Sequence, residues 1–151
     1  HVTQRFAQLP AITVQRCPRS AWIAARHRLE WVPAISGMRR GAFPKRAIQP
    51  LFDFVETWDS PEREFIDTAL QAKLTDLYQA ASNLSNEVVT LTVPIGPKQE
   101  LVSVYSDSVR AEGGPRPKWV IEDGRKLNAA ARLFTPIYED FIRFARQQLN
   151  P

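Results

Sequence analysis

Between positions 69 and 91 the apolar residues are spaced for one side of a helix. Leu70, Leu74, Leu77, Ala81, Leu84, Val88 and Leu91 recur at alternating steps of four and three, with polar residues between them. A helix brings residues three and four apart onto one side, so these positions form a single stripe. A second stripe, Leu127, Ala131, Phe134, Tyr138, Phe141 and Ala145, has the same rhythm and predicts a closing helix from about Gly124 to Leu149. Two stripes of one period and similar length are natural partners, packed at a shallow angle as in a bundle. Small Ala81 and Ala131 permit close approach, while Phe134 and Phe141 need room opposite. The 70–91 stripe is therefore expected to face the protein's own core. A dimerising coiled coil is the competing reading.

Start and stop signals frame the other elements. Ser20 can cap a helix carrying Trp22, Ala25, Leu29 and Val32 before Pro33, and 36–45 reads as a linker. Residues 46–58 predict a short helix with Ile48, Leu51, Phe52, Val55 and Trp58 on its apolar face and Pro50 in its first turn. In "WDSPERE", Asp59 or Ser60 can cap, Pro61 suits the first turn, and Glu62 and Glu64 meet the positive end of the dipole. That places the start of the first long helix near residue 60.

Residues 86–106 support two readings. The stripe keeps its phase to Leu91, which favours helix throughout. Yet Val89–Val93 also alternates like a strand, and "ELVSVYS" beyond Gly96-Pro97 could pair with it in a hairpin. "AEGGPRPKW" is a firm break before the last helix. Glu122 and Asp123 near its start and Arg143 and Arg146 near its end suit the dipole, and Pro136 predicts a kink. The fold expected is mainly α: a bundle of about four to five helices, two of them long, with at most one small hairpin.

Charge divides the chain. Residues 1–46 carry nine Arg and Lys against Glu30 alone, a charge of +8, while the remainder holds eleven basic against fifteen acidic groups, −4. Such an arm suits nucleic acid or another anion, with Arg26, Arg28, Arg39, Arg40, Lys45 and Arg46 as the candidate contacts. The plainer expectation is that it packs against the acidic body of the same protein. The apolar fraction of 44% over 151 residues is that of one ordinary globular domain. No apolar run reaches the roughly 18–20 residues that span a bilayer. Cys17 is the sole cysteine, forms no internal disulfide and favours a reducing compartment such as the cytoplasm. The chain opens His1-Val2-Thr3 without an initiator Met, which suits a piece of a longer protein, and a lost signal or anchor would change that placement.

Little in the chain suggests catalysis. His1 and His27 are the only histidines, and Arg26 and Arg28 beside His27 disfavour imidazolium. A carboxylate-bridged di-iron bundle needs two Glu-x-x-His pairs, whereas this chain has one reversed His27-x-x-Glu30. An Arg four to six residues before a His, as helical nucleases use, is absent. So are a CxxC metal site, a G-x-S-x-G elbow and a phosphate-binding P-loop. Asp59, Glu62, Glu64 and Asp67 cluster where a helix dipole accounts for them, and Glu139 and Asp140 stand together. Trp119, in a Pro and basic loop, is expected to fold back and close the core, a ligand platform being the alternative.

These readings lead to a non-enzymatic helical interaction or regulatory module with no cofactor or metal. Its partner is an unknown protein or a second copy, and the alternative is nucleic-acid binding through the basic arm. Met38, the only methionine, stands where composition changes. The division expected is an appendage over 1–37 and a helical domain over 38–151.

Overall fold

The computed structural model describes residues 42–59 and 64–149. Within them lie β1 (Phe43–Pro44), α1 (Lys45–Thr57), α2 (Thr68–Leu91), β2 (Val93–Ile95), β3 (Leu101–Ser103), α3 (Asp107–Ala111) and α4 (Lys118–Leu149). The architecture is mainly α, with two long packed helices and a small sheet. The expected Ser20–Val32 helix, the linker as far as residue 41, and Ser60, Pro61 and Glu62 lie outside the described residues. No helix among the described residues is long and apolar enough to cross a membrane.

The two stripes are the centre of the core. Leu70, Leu74, Leu77, Ala81, Leu84 and Val88 of α2 are buried with Leu127, Ala131, Phe134, Phe141 and Ala145 of α4, and Val120 extends the second stripe upstream. Leu91 and Tyr138 are half-buried at the margin, Tyr138 stacked on Phe134 at 6.0 Å between ring centroids. Lys73 of α2 pairs with Asp140 of α4, so the start of one helix lies beside the end of the other. The pair is antiparallel.

α1 packs against one flank of α2. Its buried residues are Ile48, Leu51 and Phe54, and Phe54 stands 6.3 Å from Tyr78 of α2. Phe54 replaces the expected Phe52, Val55 and Trp58, which are only half-buried. Helix begins at Lys45, so the predicted linker ends earlier and Pro50 falls beyond the first turn. Pro44 offers no side-chain cap; the Lys45 amide instead donates to the Glu100 carbonyl at 2.8 Å. A tertiary contact therefore satisfies one of the donors that a helix start leaves open.

α2 starts about eight residues later than "WDSPERE" suggests. Asp67 is the cap: its carboxylate accepts from the Leu70 amide at 2.7 Å, and Gln71 reaches back to accept from the Phe65 amide at 2.7 Å. Carboxylate capping of an open amide outweighs a favourable but generic acidic first turn. Helix throughout 86–106 is also corrected. α2 ends at Leu91, Thr92 is extended, and β2 and β3 form an antiparallel hairpin with Pro94 opposite Val102. Proline disfavours helix at the residue before it, here Val93, which stops the stripe. Gly96, at φ 84°, opens the turn. β1 adds to the other edge of β3, Phe43 opposite Val102, giving the order β1-β3-β2.

α4 begins at Lys118, earlier than expected, after Gly113 and Gly114 at φ 72° and 83°. Glu122 and Asp123 consequently fall past its first turn. The helix continues unbroken through Pro136, whose ring lies in solvent. Trp119 does not close the core: it is 47% exposed, and neighbouring Val120 is the buried residue. α3, capped by Ser106, had no counterpart in the sequence reading. Arg110 fixes it by donating to the Tyr105 carbonyl (3.0 Å) and the Ser103 hydroxyl (3.1 Å) while lying over the Tyr105 ring.

Candidate functional site: a groove between the long helices

Each buried stripe has a neighbouring row one residue earlier on its helix. On α2 the row is Lys73, Asp76, Ala80, Asn83 and Glu87; on α4 it is Lys126, Ala130, Leu133, Ile137 and Asp140. Both rows lie on the flank away from Tyr78 and α1, because a step back from the stripe turns about 100° one way and a step forward the other. Together they line an open groove of about 940 Å³. Its length, from Lys73 to Glu87, is about 21 Å at 1.5 Å per residue.

Its less exposed lining consists of small and aromatic groups, Ala80, Ala130 and Phe134, and the lining surface is mostly apolar. Leu133 stands up from the α4 side with 71% of its surface exposed. Polar groups form the rim. Gln79 donates to Asn83 at 3.1 Å, and at one end Lys73 bridges to Asp140 and lies 5.2 Å from the Phe144 ring centre. Lys73 reads in the sequence as a plain solvent-facing position. The fold makes it a tie between helices.

Hydrogen bonding from Lys73 is the main reason the Asp140 carboxyl is held below its usual pKa. Desolvation opposes the shift, and the charges of Lys73 and Arg143 assist it. A depressed folded-state pKa means that the contribution is present at neutral pH and is lost as pH falls through that lowered value. At the other end Lys126 reaches Asp123 at 3.4 Å. Among the described residues Asp76 and Glu87 form no ion pair.

The basic candidates from the sequence are not at this groove. Lys45 and Arg46 are exposed at the start of α1. Arg26, Arg28, Arg39 and Arg40 lie outside the described residues, so no common surface is established for the six. The acidic groups divide as well: Asp67 caps α2 and Asp140 pairs with Lys73. Among the described residues no three His, Cys, Asp or Glu side chains stand together as a metal site.

Leu133 and Ile137 were legible as apolar residues out of phase with the α4 stripe, which is a signal of a second apolar face. Asn83, Glu87 and Lys126 carried no such signal. A further set of exposed apolar residues, Val89, Val93, Trp119 and Ile121, lies where α2 ends and α4 begins. Compared with protein-family models, curated proteins and solved structures, the chain matches none of them.

Proposed function

We propose that the protein is a non-enzymatic helical interaction module of the cytoplasm and that the α2–α4 groove is its docking surface. Leu133 carries the reading. A leucine 71% exposed beside an alanine floor leaves unrealised most of the roughly 1.5–3 kcal/mol that burying such a side chain contributes. A groove floored by small residues between two antiparallel helices has the shape that receives a further helix.

A photo-crosslinking amino acid at position 133 of the full chain tests this in cells. Discrete protein adducts are expected there and not from the same probe at exposed Ser108 on α3. Absence of adducts at 133 removes the groove as a docking surface.

One observation favours the second reading, nucleic-acid binding. Lys45 and Arg46 occupy the first turn of α1, where the helix dipole disfavours cations, and no acid balances them in that turn. Their position is better suited to an external anion than to helix stability. Replacing Arg39, Arg40, Lys45 and Arg46 with Ala should weaken nucleic-acid binding and flatten its salt dependence, because fewer counterions are released. No binding of the unmodified protein to DNA or RNA at low salt would eliminate this reading.

A further inference from the structure

We infer that the occupant of the groove is a second copy of this chain, the two grooves closing on each other as a four-helix bundle. The inference rests on the docking reading above and names its partner. Lys73 and Asp140 fix the height at which α2 and α4 face each other. Stepping along the two antiparallel helices from that pair sets Asp76 level with Ile137, Ala80 with Leu133, Asn83 with Ala130, and Glu87 with Lys126.

A twofold axis running along the groove preserves these levels and places α2 of one copy over α4 of the other. Leu133 of each chain then stands over Ala80 of the second copy, a projecting side chain against a small one, twice over. Glu87, without an ion-pair partner among the described residues, faces Lys126 of the second copy. Lys73 and Asp140 gain the same choice of partner across the interface. Asn83 meets Ala130, so no two large groups collide there. Asp76 against Ile137 is the exception, and it weakens the contact.

Self-complementarity of one patch is what a twofold interface requires. The rows supply it in both size and charge. Two helix widths by about 21 Å is a small area for a stable dimer, so dissociation on dilution is expected, with Kd in the micromolar range.

The full-length chain tests this by sedimentation across micromolar to submillimolar concentration. Mass should rise from 17.2 kDa toward twice that value. L133D, a change at an exposed position, should remain monomeric with unchanged far-UV circular dichroism. E87K alone places Lys against Lys at both contacts, and K126E alone places Glu against Glu. Each should be monomeric, and an equimolar mixture of the two should recover the dimer, because only the mixed pair matches opposite charges at both contacts.

Three results would each overturn the inference: a monomer at every concentration, a dimer indifferent to L133D, or no recovery on mixing. If the unmodified chain is monomeric while the probe at 133 captures a different protein, the second copy is wrong and the docking surface stands. If neither occurs, both fall.

Discussion

Leu77 and Phe134 have about 1% of their surface left in water. Replacing either with Ala removes buried contacts and leaves a cavity, and should cost about 2–5 kcal/mol in a urea melt. Unchanged stability with an altered oligomeric state for Leu77→Ala would mean that the α2 stripe faces a partner. Ser85 gives the opposite case. Its hydroxyl is buried on α2 with no hydrogen-bond partner among the described residues. An unmade hydrogen bond is expensive and alanine is the better helix former, so Ser85→Ala should stabilise the fold by about 1 kcal/mol. A loss of stability in the same melt would show that the hydroxyl is engaged. The sequence marked Leu77 and Phe134 as core because their environment follows from helical phase. For Ser85 it gave no signal, since the position is buried by what packs beside the stripe.

For the elements, the start of α2 separates generic signals from specific ones. Asp59 stands in an attractive start motif and caps nothing in the described structure, while Asp67 accepts from the Leu70 amide. Asp67→Ala should therefore cost about 1 kcal/mol and fray the first turn of α2, visible as faster amide exchange at Leu70 and Gln71. Asp59→Ala should change stability by less than about 0.5 kcal/mol. Reversal of these magnitudes would place the helix start at the earlier motif. The end of α2 was half legible: the stripe reaches Leu91 in phase, and the hairpin alternative names the segment that holds β3 but sets its first strand at Val89–Val93, of which only Val93 lies in β2. Helical phase as far as Leu91 is what favours helix throughout. Pro94 prevailed because its ring acts on the backbone of Val93 whatever the stripe prefers.

The whole molecule raises the division at Met38. Both stripes and the "WDSPERE" start signal lie downstream of it in the sequence. A chain starting at Met38 should melt in one cooperative thermal transition close to that of the full chain, followed by circular dichroism. Insolubility or a broad, non-cooperative melt would assign Trp22, Ile23, Leu29, Trp31 and Val32 to the core and make the upstream arginines a solvated face.

By itself the sequence determined the two long helices and their buried sides, because helical pitch turns spacing directly into a face. It also determined the break at Gly113-Gly114, where backbone freedom is a property of the residue. Only the tertiary structure decided that β1 joins β3, that Glu100 serves the start of α1, and that α1 lies beside Tyr78. Each depends on contacts between distant segments, which no local period encodes. A stripe specifies the side of a helix that leaves water, but not which of the two adjoining flanks the next helix will cover. That choice put α1 beside Tyr78 on one flank of α2 and left the row with Leu133 open on the opposite side.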